Sequence, residues 1–350
     1  MYVYNCWYAA GWAHDFPAEG LRAQELLDVP LVFYRKADGG LVALEDRCSH
    51  RLAPLSAGQI EGDDLRCLYH GLKFDPSGRC VEIPGQPQIP ASARVRSYPV
   101  VERHSVAWIW MGDAAKADEA LIPPFRGVAD PAYDMLPGQM EYDAHYMLIN
   151  DNLLDLSHVA YVHRNSFGSG SDFAEKRPKI TRMERGLRVQ RWVSQPTPKY
   201  IAEKLPQLSH VDTWISYDFL LPGVFLMDAK FFEPGAAERF AHGAPTDEPA
   251  HDEFTCQVVT PLSKGRTRYL FAYGPWSRVK GLAEFYRDVS YMAFGEDKVM
   301  IEAQQRVIDR SPGVAMQPTS FDAAPSQFRW LVDKLIAAEQ QQAAQPATAA

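Results

Sequence analysis

A chain of 350 residues is long enough for one large or two ordinary domains. Hydrophobic residues make up 46% of it and charged residues 23%, the balance of a globular protein with a sizeable core. The net charge of −8, with no clustered Lys and Arg, excludes a basic nucleic-acid surface, and no apolar run is long enough to span a bilayer. The first basic residue is Arg22, so residues 1–21 lack the charged start of a secretory signal. Five cysteines are an odd, low number that does not suggest a disulfide framework, and a reducing, cytoplasmic location is expected.

Residues 2–12 are crowded with aromatics and read as a packed N-terminal segment. Residues 31–35 and 41–45 read as strands, joined by Ala37-Asp38-Gly39-Gly40 with hairpin turn chemistry. Cys48-Ser49-His50 follows the second strand, and Cys67-Leu68-Tyr69-His70 follows Asp64-Leu65-Arg66. Each stretch supplies one thiolate and one imidazole, at C-x-H and C-x2-H spacing. Two sulfide-bridged irons accept this set, with cysteines on one iron and histidines on the other. Zinc also accepts two cysteines and two histidines, so spacing alone leaves the metal open. Pro76-Ser77-Gly78 signals another hairpin, and residues 96–100 and 106–111 complete a pattern of short strands. The first 114 residues are therefore expected to form a small all-β domain with its metal-binding pairs on loops at one end.

Residues 112–124 are polar and alanine-rich and end in a Pro pair, as a linker would. A second domain is expected over 115–339, followed by a flexible, low-complexity tail over 340–350. Within it, residues 143–149 read as a strand and 150–162 as a helix. Strands are expected at 187–193, 213–221, 225–231, 254–261 and 267–274. A long amphipathic helix is expected over about 282–308 and a last one over 328–339. No internal repeat is present.

The stretch 150–163 holds further candidate chemistry. Asp155 and His158 are three apart and share a helical face. His158 and His163 are five apart and can ligate one metal only if the helix widens or ends near Tyr161. Two imidazoles and one carboxylate would leave positions open for dioxygen and substrate. Two carboxylates compete for the third place: Asp155, which can instead hold a ligand histidine from behind, and Asp297, in the middle of the long helix. Cys6, Cys80 and Cys256 read as packing residues. His14, His104, His145, His210, His242 and His251 have no spaced partner and are given no role.

These residues resemble a known family. Cys48-Ser-His50 with Cys67-Leu-Tyr-His70-Gly71 matches the Rieske [2Fe–2S] motif. Asn152-Leu-Leu-Asp155-Leu-Ser-His158-Val-Ala-Tyr-Val-His163 matches the mononuclear iron motif of Rieske non-haem iron oxygenases. The order, separation and length agree over most of the chain. Similarity is greatest to the oxygenase components of vanillate O-demethylase, toluenesulfonate methyl-monooxygenase and dicamba monooxygenase, visible also in Arg51-Leu-Ala-Pro-Leu-Ser56 and in Glu296-Asp-Lys-Val-Met-Ile-Glu-Ala-Gln-Gln305. The resemblance implies a [2Fe–2S] cluster on Cys48, His50, Cys67 and His70, and ferrous iron on His158, His163 and Asp297. Asp155 then maps onto a bridging carboxylate, and Asn152 onto a position near the iron. It implies an α+β fold, a Rieske β-domain followed by a START-like helix-grip domain whose curved antiparallel sheet surrounds the long helix. It also implies a homotrimer, with the cluster of one subunit facing the iron of the next.

The reaction so implied is hydroxylation of a methyl or methoxy carbon of a small aromatic compound, an aromatic acid being favoured, with O2 as co-substrate. A hydroxylated methoxy carbon collapses to a phenol and formaldehyde. The chain carries no nicotinamide or flavin fingerprint, so a separate NAD(P)H-dependent reductase or ferredoxin must supply electrons. Aromatic-ring dihydroxylation, a Rieske electron-transfer or ligand-binding protein without oxygenase activity, and a zinc-stabilised module are the alternatives. Trp214, Phe219, Phe225, Met227, Tyr273 and Trp276 are candidates for the pocket lining. Lys230, Arg266 and Arg268 are candidates for a cation that would hold an acid.

Overall fold

The computed structural model describes the chain except residues 129, 165, 167–170, 204, 276–280 and 345–350. It divides into two compact units: Met1–Ile122 with Thr260–Lys264, and Pro123–Val259 with Gly265–Ala350.

The first unit is built of short strands. Trp7–Trp12 is itself a strand, buried along its whole length, and pairs with Val106–Trp110, which pairs with Val100–Arg103. A second sheet runs Arg22–Leu26, Val29–Arg35, Leu41–Glu45 and Ser97–Tyr98. Its expected hairpin is present, with Arg35 opposite Leu41 and Lys36 N–H donating to the Gly40 carbonyl. Gly39 takes a positive φ of 84°, which a glycine adopts without steric cost. A third sheet runs Gln59–Glu61, Asp64–Arg66, Lys73–Phe74 and Cys80–Glu82. The Cys48 loop leaves the second sheet and the Cys67 loop joins two strands of the third. Both cysteines pack into one apolar core with Leu44, Leu65, Leu72 and Phe74. Residues Thr260–Lys264 add to this unit: Thr260 Oγ1 donates to the Ala9 carbonyl, and the Leu27 and Asp28 amides donate to Pro261 and Leu262.

The second unit carries a seven-stranded sheet in the order Gly138–Tyr142, Arg266–Pro275, His251–Ser263, Val224–Phe232, His210–Leu220, Gly186–Pro196, Lys179–Met183. Five of these strands cover the segments expected from sequence, except that Leu221 of the expected 213–221 falls past the end of its strand. The apolar run at 143–149 is helical, not extended. The helix is Tyr146–Leu154, and His145 caps it by accepting from the Met147 amide. A short run of buried apolar residues has no periodicity that separates strand from helix, and the cap decides here. The long helix spans Ala283–Arg310 and lays Phe294 against Tyr269 and Phe271 of the sheet. The last helix, Ala323–Ala344, starts before the expected 328 and runs past 339. No described helix is long and apolar enough to cross a membrane.

The sheet also fixes where the Tyr146–Leu154 helix stops. Tyr217 of the His210–Leu220 strand donates its hydroxyl to the Leu154 carbonyl at 3.0 Å, both groups buried. Tyr217→Phe leaves that carbonyl without a partner. The expected cost is about 1–3 kcal/mol, read as a lower urea midpoint at unchanged slope.

Candidate metal centres and the adjoining cavity

The two loops of the first unit have one shape. In each, the amide of the residue four after cysteine donates back to the cysteine carbonyl: Leu52 to Cys48 at 3.0 Å and Gly71 to Cys67 at 2.9 Å. Each cysteine amide is also tied down, Cys48 to the Ala53 carbonyl and Cys67 to the Leu72 carbonyl, both at 2.8 Å. Leu52 and Gly71 both take a positive φ, of 57° and 78°. At Gly71 a Cβ would stand 2.6 Å from Pro84 Cγ, so glycine is required for space as well as for conformation. The knuckles bury both thiols, and burial followed by the neighbouring Cys67 thiol raises Cys48 to about 11. His50 and His70 are exposed, with ring centroids 4.6 Å apart. Burial and the positive neighbours His50 and Arg51 lower the His70 pKa.

In the second unit, the helix ends at Asp155, whose extended backbone (φ −118°, ψ 92°) breaks it. A 3-10 turn, Leu156–Ala160, follows, and the Asp155 carboxylate caps it by accepting from the Ser157 amide at 2.9 Å. That break solves the five-residue spacing. It brings the rings of His158 and His163 to 5.3 Å, where an unbroken helix would turn them apart. Asp297 of the long helix meets both, 3.4 Å from His158 Nε2 and 3.2 Å from His163 Nε2. Among the described residues these three are the ones whose ligand atoms converge, all within 4.8 Å. Asp297 is 5% exposed, and a carboxylate so buried needs a charge partner. Asn152 Nδ2 donates to Asp297 Oδ1 at 3.0 Å.

The far side of each imidazole is also held. His158 Nδ1 lies 2.6 Å from the Asp155 backbone carbonyl, so Asp155 orients this ring through its main chain and not through its carboxylate. His163 Nδ1 lies 2.8 Å from Glu296 Oε2, which Ser166 Oγ also reaches at 2.7 Å. Glu296 was not among the sequence-derived candidates. It precedes Asp297 in the helix, and only the tertiary contact with His163 separates it from a solvated helix-face acid. Burial lowers the His158 pKa. At His163 burial acts the same way, but the bonds to Asp297 and Glu296 outweigh it and the pKa is raised.

The triad opens onto a cavity of about 130 Å³. Alternate residues of Val224–Phe232 form much of its wall: Phe225, Met227, Ala229 and Phe231. Tyr273 lines it as expected. Trp214 does not: it faces the other side of the sheet, against Trp192 and Phe232. Phe219 packs on Phe328 of the last helix. Trp276 lies outside the described residues. Of the candidate cations, Arg266 and Arg268 both bind Glu141, at 2.6 and 3.2 Å, and neither they nor Lys230 lines the cavity.

Residues 6–99 match the Rieske [2Fe–2S] domain, and residues 142–338 match the vanillate O-demethylase oxygenase C-terminal domain. The chain belongs to the Rieske non-haem iron oxygenases. It is 39% identical to the toluene-4-sulfonate monooxygenase system iron-sulfur subunit of Comamonas testosteroni, over 97% of this chain and 98% of that one. It is 34% identical to the dicamba O-demethylase oxygenase component of Stenotrophomonas maltophilia, over 95% and 98%. Dicamba monooxygenase bound to 3,6-dichlorosalicylic acid superposes with a TM-score of 0.84 at 31% identity, covering 99% of this chain and all of that one. The expected α+β architecture, with a Rieske β-domain ahead of a sheet-and-helix catalytic domain, is the one observed. This Rieske oxygenase is the oxygenase component of a monooxygenase, an oxidoreductase that depends on a separate source of electrons. These relatives favour monooxygenation over the ring-dihydroxylating and electron-carrier alternatives.

The donor sets fit the two cofactors. Two buried thiols beside two exposed imidazoles suit a cluster with chemically different irons. His158, His163 and Asp297 converge as a two-histidine, one-carboxylate iron site. Removing the support behind His163 tests the fit. Glu296→Ala is expected to weaken iron binding by about 10–100-fold, measured by chelator competition, while the visible spectrum of the cluster is unchanged.

Proposed function

We propose that this oxygenase component hydroxylates or O-demethylates a small aromatic compound, using O2 and electrons passed from an NAD(P)H-dependent reductase or ferredoxin. The observation that carries this is the convergence of His158, His163 and Asp297 on the wall of a mainly apolar cavity. An apolar cavity of about 150 Å³ holds one benzene ring, so the 130 Å³ here is on the scale of a single ring and not of a fused ring system. The relatives named for toluene-4-sulfonate, dicamba and vanillate are named for single-ring compounds of this size.

In this reading Cys48, His50, Cys67 and His70 hold the [2Fe–2S] cluster, and His158, His163 and Asp297 hold ferrous iron. When bound, the two groups supply single-electron storage and activation of dioxygen. The chain's residues do the rest. Asn152 fixes the rotamer of Asp297, and Asp155 fixes the ring of His158 through its carbonyl while its carboxylate receives the cluster histidine of a neighbouring subunit. That handover needs a homotrimer, and the exposure of His50 and His70 supports it. The aromatic walls position the ring so that a methyl or methoxy carbon faces the triad. A cytoplasmic location accords with five cysteines that form no disulfide among the described residues.

His158→Ala is expected to keep the cluster spectrum and to lose substrate oxidation about 100-fold or more, since even a residue behind a ligand costs about 10–100-fold. The check is formaldehyde release from methoxylated aromatic compounds with a reductase supplied; retained activity would remove His158 from the iron site. Asp155→Asn is expected to keep both metal centres and to slow cluster reoxidation by the substrate-bound iron site, followed by stopped-flow absorbance.

A further inference from the structure

Part of the cavity wall is polar and carries a buried carboxylate. Glu253 lines the cavity and is 1% exposed. Its Oε2 accepts from the hydroxyls of Tyr273 and Tyr200, the latter at 3.1 Å. Its Oε1 accepts from Tyr286 at 2.6 Å and meets His251 Nε2 at 3.0 Å. Burial, then the adjacent Glu253 charge, raises all three phenols above their usual range, so each remains a donor. A phenol has one proton to give. The protons of Tyr200 and Tyr273, the two tyrosines on the cavity wall, are therefore directed at Glu253. The neighbouring Thr255 hydroxyl is directed at the Ala272 carbonyl at 3.1 Å. Gln195, another wall residue, is 5% exposed, and its amide oxygen has no hydrogen-bond partner. No Lys or Arg lines the cavity among the described residues.

An anionic substituent placed here would meet a buried carboxylate of the same sign and no Lys or Arg, the nearest basic group being the His251 imidazole already engaged by Glu253 Oε1, which is unfavourable away from water. Glu253 already takes two donors on each oxygen, so a hydrogen-bond donor would meet two acceptors: the Gln195 amide oxygen and the hydroxyl oxygen of Tyr273, whose proton goes to Glu253. Resting on the reading that this cavity holds the substrate, we propose that Glu253, Tyr273 and Gln195 select an aromatic compound bearing a hydrogen-bond-donating group, an amine or an alcohol, in place of an acid. This sets the chain apart from relatives named for a sulfonate or crystallised with a salicylic acid. In this proposal a substrate bearing a hydrogen-bond donor takes the place of the aromatic acid expected from the resemblance.

Three ligands of one shape test it: 3-methoxybenzylamine, 3-methoxybenzyl alcohol and 3-methoxybenzoate, titrated calorimetrically into the iron-loaded protein. The amine and the alcohol are expected to bind at least about tenfold more tightly than benzoate, a difference of about 1.4 kcal/mol. An amine stronger than the alcohol assigns a cationic substrate, and equal affinities assign a neutral donor. Benzoate binding as tightly or more tightly, or no binding of any of the three, overturns the proposal. Glu253→Gln is expected to reduce the preference for amine over benzoate about tenfold. Tyr273→Phe, a smaller change, serves if that variant does not fold, and the ranking by the unaltered protein stands without either. Formaldehyde release is scored separately. Donor ligands that bind without demethylation uphold the substrate class and count against the reaction; benzoate demethylated in preference does the reverse.

Discussion

Everything at the catalytic centre depends on the chain leaving helical geometry at Asp155. Two histidines five residues apart cannot share a face of a regular helix, and the third ligand comes from a separate element. The break at Asp155 turns a sequence spacing into a metal-binding one. It holds because three interactions act on the same few atoms. The Asp155 carboxylate caps the turn that follows, its carbonyl takes the His158 ring, and the sheet pins the Leu154 carbonyl through Tyr217. Loss of any one leaves the other two, so the ligand geometry is over-determined in the way a preorganised site needs.

The long helix does two jobs with adjacent residues. Asp297 faces the triad and Glu296, about 100° round the helix, reaches the outer nitrogen of His163. The adjacent carboxylates avoid like-charge conflict because His163 lies between them and Asn152 donates to Asp297 from the other side. The adjoining cavity is lined by alternate apolar strand residues and also by Glu253, which three tyrosines and a histidine surround.

Much of this was legible in sequence because it is local. The Cys48/His50 and Cys67/His70 pairs are set by spacing, and the hairpins at Gly39 and Gly78 by turn chemistry. The strands read from alternation, and the long helix from its amphipathic period. What sequence left open was tertiary. The run at 143–149 reads as a strand because it is apolar without a period, and the His145 cap makes most of it helix. Glu296 has the sequence context of a solvated acid. Trp214 and Ile215 are adjacent, yet Ile215 lines the cavity while Trp214 packs behind the sheet, because pleating points neighbours to opposite faces and sequence does not say which face is inside. Arg266 and Arg268 were plausible anion partners only until Glu141 was found beside them.

The first unit is not a continuous piece of chain. Five of its residues, Thr260–Lys264, are the last four of a strand and the first of the turn of a hairpin whose strands begin and end in the other unit. Their bonds to Ala9, through the Thr260 hydroxyl, and to Leu27 and Asp28, through backbone carbonyls, are therefore long-range in sequence although local in space. A chain that has emerged only as far as Ile122 lacks the groups these atoms bond. During synthesis, completion of the cluster-bearing unit must wait until more than twice that length has been made.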